Sequence, residues 1–166
     1  MESKKKQNEK KVIAAFDFDG TITQRDTLPY FIRFTVTLNR LFFGSLKMIP
    51  YLILFKLKVI TNTKAKEELF KIFFAGIKLD YFNSLSLKFI SKIDCMVNPE
   101  ALERIKWHQN KGHEVVIISA SVENWIKPWA LQHDIQTVLA TRLQLKDHLI
   151  TGKFLTKNCH GKEKVD

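Results

Sequence analysis

Two cysteines, Cys95 and Cys159, are all the thiol this chain of 166 residues carries. They show no CxxC spacing, so neither a disulfide scaffold nor a zinc site is expected, and a reducing, cytoplasmic setting fits best. Glycine (six) and proline (four) are scarce, which excludes collagen-like and low-complexity chains. Long uncharged runs are missing. The most apolar stretch, Leu41 to Ile60, is interrupted by Lys47, Lys56 and Lys58, with a kink expected at Pro50. Its longest uncharged part, Met48 to Phe55, falls well short of the roughly 20 residues that a membrane span needs. The Lys-rich start, Met1 to Lys11, leads into an apolar run that breaks at Asp17, so no secretory signal is expected. Neither GxxxxGK[ST] nor GxGxxG occurs, which removes support for nucleotide-loop readings. The five histidines show no paired ligand spacing.

Acid is also in short supply. Lys+Arg number 27 against Asp+Glu 17, giving +10. Nine of the basic residues and only two Glu lie between Leu28 and Leu79, so +7 of the charge sits in under a third of the chain. Such a balance favours phosphorylated or polyanionic partners. Otherwise the chain is ordinary globular stock, 45% hydrophobic and 27% charged, long enough to bury roughly 68–70% of its unfolded surface as one domain with an insertion.

Val12 to Phe16 is an unbroken apolar run ending in acid and Gly, the pattern of a strand buried on both faces of a parallel sheet; Val115 to Ile118 is a second. Asn98-Pro99-Glu100 opens a helix that closes at Gly112. A further helix over Val122 to His133, broken or kinked at Pro128, leads to a third strand near Thr137 to Ala140. Leu143–Leu145 and Leu149-Ile150, joined by Lys146-Asp147-His148, read as a hairpin.

About seventy residues with almost no strand signal separate the first strand from Asn98, far more than a crossover loop needs. Helices are expected there over Leu28 to Phe43, Leu46 to Lys58, Thr63 to Ala75 and Tyr81 to Lys92, with breaks at Gly44, Thr61-Asn62 and Gly76. The fold class expected is α/β: a doubly wound, Rossmann-like parallel sheet core with an inserted helical cap and a β-hairpin near the C-terminus. The divisions are a polar tail (1–10), a core (11–23 and 98–166) and a cap (24–97).

The informative hexapeptide is Phe16-Asp17-Phe18-Asp19-Gly20-Thr21. A strand delivers Asp17 at its carboxyl end, where open α/β sheets place ligands. Residues two apart on an extended chain point the same way, so Asp17 and Asp19 can face one pocket. Two carboxylates that close are relieved by a cation, and Mg²⁺ suits them. Gly20 permits a tight turn, and Thr21 can donate to an anion. Taken alone, Asp-Phe-Asp-Gly is equally a strand running into a polar turn. Ser119, in Ser119-Ala120-Ser121, emerges at the same sheet edge and can donate to a phosphate oxygen, although either serine also suits a helix N-cap. Lys162 and Lys164 follow Cys159-His160-Gly161.

Strand-DxDGT, helical insertion, strand-Ser and Lys, in that order, resemble the haloacid dehalogenase superfamily. Val-Ile-Ile-Ser-Ala-Ser, Trp125 with Pro128-Trp129, Ala140-Thr141-Arg142 and Cys159-His160-Gly161-Lys162-Glu163-Lys164 are similar to its phosphoserine-phosphatase-like branch. The resemblance implies Asp17 as nucleophile and Asp19 as general acid/base. It implies Mg²⁺ on the Asp17 carboxylate and the Asp19 carbonyl, and phosphate held by Ser119 and Lys164, with Lys162 close behind for the lysine role; Thr21, from its own place in the turn, is expected to bind phosphate as well. Asp26 stands where phosphoserine phosphatases carry a substrate-reading glutamate. The family pattern continues to a further strand with an acidic motif, and this chain stops at Asp166, so a piece of a longer protein is expected.

The function expected is hydrolysis of a small phosphomonoester such as phosphoserine through an aspartyl phosphate, in the cytoplasm, with no nucleic acid as partner. One alternative is a phosphatase acting on a phospholipid headgroup of the phosphatidylglycerophosphate kind, as in some members of the branch. It would work at the inner membrane face, with the basic cap resting on anionic lipid. The other is a non-catalytic phosphate-binding scaffold.

Overall fold

The structure, a computed structural model, describes residues 12–155. Strands β1 (Ile13–Phe16), β2 (Glu114–Val122) and β3 (Thr137–Thr141) form a parallel sheet in the order β1-β2-β3. The ladder carries Ile13 opposite Glu114 through Phe16 opposite Ile117. Asp17 therefore leaves the sheet beside the carboxyl half of β2. The apolar run Val115–Ile118 underestimates β2, which continues through Ser119-Ala120-Ser121. Partners hold that weak strand-forming stretch: Thr141 Oγ1 donates to the Ala120 carbonyl at 3.1 Å. The register with β3 shifts between Ile118 and Val122, as at a β-bulge.

Four helices fill the chain between β1 and the next core element, as expected: α1 (Thr27–Thr35), α2 (Leu38–Lys56), α3 (Asn62–Phe74) and α4 (Leu79–Asp94). Two core helices follow, α5 (Pro99–Asn110) and α6 (Glu123–Gln132). The Asn98 side chain caps α5, accepting from Glu100 N at 3.2 Å. The first break in the insertion falls at Val36-Thr37 and not at Gly44, and α2 continues through both Gly44 and Pro50. Gly44 is a contact glycine and no helix stop, because a Cβ there would stand 2.3 Å from Phe73 Cε1. Pro50 lies on the exposed side, where water can serve the carbonyl that its missing N–H leaves behind. α6 likewise runs through Pro128.

The insertion shares its core with the sheet domain. Phe31 of α1 lies 5.6, 5.2, 5.2 and 4.4 Å, centroid to centroid, from Phe74, Phe82, Phe89 and Trp125, all fully buried. Burial of each such ring contributes about 1.5–3 kcal/mol, so the insertion and α6 stabilise one another. Trp129 is buried as well, whereas Trp107 is partly exposed, with the Arg104 guanidinium 4.6 Å above its ring.

Strands β4 (Leu143–Lys146) and β5 (Leu149–Phe154) form the expected hairpin. Its two turn residues, Asp147 and His148, take φ of +50° and +61°, the twist-matching pattern of a two-residue turn. The hairpin is fastened to the insertion. Gly76 N donates to Ile150 O at 2.9 Å, Ile150 N to Ile77 O at 2.9 Å, and Leu79 N to His148 O at 3.0 Å. Phe154 N donates to Glu67 Oε1 at 3.0 Å.

Candidate active site

A cavity of about 280 Å³ opens at the carboxyl edge of β1 and β2. Asp17, Asp19 and Asp26 line one part of it, Ala120 and Ser121 another, and Asn62 and Lys66 of α3 a third. Core and insertion therefore both contribute.

Asp17 follows β1 directly, and its Oδ1 accepts from Phe18 N at 2.8 Å. The chain then curls back: Ile22 N donates to Asp17 O at 3.3 Å and Thr23 N to Phe18 O at 2.9 Å, with Gly20 at φ +77°. That positive φ suits glycine, which has no Cβ to clash. This loop carries both carboxylates to one cavity.

Asp19 is fixed from three directions. Its Oδ1 accepts from Thr27 N at 2.8 Å and from Thr27 Oγ1 at 2.7 Å, and its Oδ2 accepts from Ser121 Oγ. Behind Thr27, the buried indole of Trp125 donates from Nε1 to Thr27 Oγ1 at 3.1 Å. The line Trp125–Thr27–Asp19 thus orients a carboxylate from fully buried partners, as supporting groups do in preorganised sites.

The other expected site residues divide. Asp26 lines the cavity and is exposed. Thr21 is exposed and lies outside the lining, its N–H turned to Phe18 O at 3.4 Å. Ser119 is fully buried, and its Oγ accepts from Ser121 N at 3.0 Å, so Ala120 and Ser121 form the wall in its place. Lys164 and Lys162 lie outside the described residues.

The family description of a haloacid dehalogenase-like hydrolase matches residues 14–166. The chain belongs to that family. It is 28% identical over 156 residues to protein CicA of Caulobacter vibrioides (strain NA1000 / CB15N), spanning 93% of this chain and 69% of that protein. Its fold is similar to that of a Bordetella pertussis Tohama I protein of unknown function (TM-score 0.78, 17% identity, 94% of this chain and 72% of that one). It is also similar to a phosphoserine phosphatase in the form of a phospho-aspartyl intermediate analogue (TM-score 0.59, 18% identity, 88% of this chain and 63% of that one). At such identities these two likenesses concern the fold.

Mg²⁺ is the cofactor that haloacid dehalogenase-like phosphatases imply. Among the described residues no three His, Cys, Asp or Glu side chains gather into a ligand set. The donor chemistry nevertheless fits, since Mg²⁺ is commonly held by one or two carboxylates with several waters retained. With the Asp19 carboxylate committed to Thr27 and Ser121, the Asp17 carboxylate and the Asp19 carbonyl are the groups that would hold it.

Four contributors escape a reading of the sequence. Thr27 and Trp125 act on Asp19 from 8 and 106 positions away in the chain, counting 27 − 19 and 125 − 19. Ser121 shares the two-residue strand spacing with Ser119, a signal that was available. Lys66, whose Nζ donates to Ala120 O at 3.2 Å, gave no signal, because a lysine in a basic helix reads as solvated.

Proposed function

We propose that the chain is a Mg²⁺-dependent phosphomonoester hydrolase working through an aspartyl phosphate on Asp17. The observation that carries this reading is that Asp17 and Asp19, two residues apart, line one cavity together with Lys66 and Ser121. A bound Mg²⁺ would offset negative charge on the phosphoryl oxygens and on Asp17.

In this reading a carboxylate oxygen of Asp17 attacks phosphorus in line, and the bond to the leaving alkoxide breaks as the Asp17–phosphorus bond forms. Asp19, held at Oδ1 by Thr27, gives a proton carried on Oδ2 to the leaving oxygen. It then takes a proton from the water that cleaves the acyl phosphate, which frees inorganic phosphate and restores Asp17. Lys66 places an ammonium group at the cavity wall, where it offsets phosphate charge. Asp26, exposed at the rim, suits contact with the part of the substrate beyond phosphorus; a small phosphomonoester such as phosphoserine fits the cavity volume. A cytoplasmic site of action belongs to the same proposal.

The test is Mg²⁺-dependent hydrolysis of a panel of phosphomonoesters by the parent chain and by Asp17→Asn. Loss of the nucleophile should lower kcat by roughly a thousandfold or more, with the circular dichroism spectrum unchanged. A variant that turns over as fast as the parent would remove Asp17 from its role.

A further inference from the structure

Helix α2 is apolar on two opposite sides, and only one of them is used within the described residues. On the inner side Gly44 and Met48 are buried, and Arg40 Nη2 donates to Phe73 O at 2.6 Å, which pins the helix along α3. On the outer side Leu38, Phe42, Leu46, Ile49 and Ile53, continued by Leu57, recur at spacings of three and four and are 46–76% exposed. Phe43, Leu52 and Val59 widen the stripe. A surface helix ordinarily turns a polar face to water, and apolar patches of this extent mark contact with a partner or a membrane.

Charge selects between the occupants. From Thr27 to Lys66 the chain contains no Asp or Glu at all, while Arg33, Arg40, Lys47, Lys56, Lys58, Lys64 and Lys66 fall in that span. Among the described residues Lys47, Lys56 and Lys58 form no ion pair. A second copy docked through this stripe would set one cationic border against another. A bilayer carrying anionic lipid accepts both features: the outer side chains enter the acyl boundary, while the lysine stems lie along it and lift their ammonium groups to the phosphates.

By length and composition alone α2 could also cross a membrane. Its attachment along α3 argues for lying in the interface, since spanning would carry Arg40 and Lys47 into hydrocarbon.

We propose that the outward stripe of α2, with Lys47, Lys56 and Lys58, docks this protein on the surface of an anionic lipid bilayer. Residues 57–61 join α2 to Asn62 and Lys66 at the cavity wall, so docking sets the cavity close to the lipid surface. The docking does not depend on the chemistry proposed for the cavity.

The test is sedimentation of the chain with vesicles of phosphatidylcholine alone and of phosphatidylcholine with one third phosphatidylglycerol, alongside ultracentrifugation without lipid. The expected result is a monomer that pellets with the anionic vesicles and stays in solution with the neutral ones. Lys47→Glu/Lys56→Glu/Lys58→Glu should weaken binding by on the order of a hundredfold. Leu46→Glu/Ile53→Glu should abolish it, with an unchanged thermal melt. Absence of partition into anionic vesicles overturns the proposal. So does equal partition by the Leu46→Glu/Ile53→Glu variant, or a dimer that this variant dissolves while vesicles bind nothing. Hydrolysis of a soluble aryl phosphate, measured on the same samples, reports on the cavity separately: its failure with vesicle binding intact would count against the hydrolase reading alone.

Discussion

Thr27 serves two partners with one hydroxyl, donating to Asp19 and accepting from Trp125. Thr27→Val keeps the shape and removes both bonds. It leaves the Trp125 N–H buried and unpaired, so we expect a loss of about 1–3 kcal/mol in thermal or urea unfolding. It should lower kcat far more than it changes KM in steady-state kinetics, and Thr27→Ser should restore most of both. Asp17 and Asp19 were legible because strand direction and two-residue spacing are local properties that the chain carries openly. Thr27 and Lys66 were not, since their importance arises only when α1 and α3 meet around the loop after β1. Thr21 shows the converse: it sits in the motif, yet the curl from Asp17 to Thr23 leaves it facing solvent.

The helices and strands were read correctly in kind, but the breaks expected at Gly44 and Pro128 were not found, Gly44 because it serves packing. Gly44 stands inside α2 to admit the ring of Phe73, a use that a single-chain pattern cannot tell from a helix stop. Gly152 makes the less forgiving approach, since an added Cβ would stand 2.5 Å from the backbone at Lys71 Cα, with φ at +87°. A ring can rotate aside, and backbone cannot. Gly44→Ala should therefore cost about 1–3 kcal/mol, and Gly152→Ala clearly more, in parallel denaturant titrations. On α3, Glu68 is buried and bonded to Lys64 at 2.9 Å. Its pKa lies below the ordinary 4.5, first because Lys64 hydrogen-bonds the carboxylate, with burial opposing. The unfolded chain thus binds the proton more readily, so the stability from this pair is full above about pH 4.5 and lost as pH falls further. Melting curves of the parent should drop steeply in that acid range, and those of Glu68→Gln should drop less.

For the whole molecule, the order of elements, the helical insertion and the hairpin were all visible in the alternation of apolar runs and long helical spacing. The uneven charge was visible too, but its arrangement around an outward apolar stripe needed the packing of α2 on α3. What stayed hidden was the way the hairpin joins the insertion, because the hydrogen bonds at Gly76, Ile77 and Leu79 involve main chain and leave no mark on side-chain pattern. Those bonds act as a latch at one corner. The insertion cannot pivot there as a rigid lid; any breathing that admits ligand must come from the corner where, among the described residues, the main chain of 57–61 bonds only to the adjoining ends of α2 and α3. Deuterium uptake should register this asymmetry: the amides of Gly76 and Ile150 should exchange as slowly as those in the middle of β2, while those of Lys58 to Ile60 exchange fast. Equal uptake at both corners would mean that the latch opens in the native state.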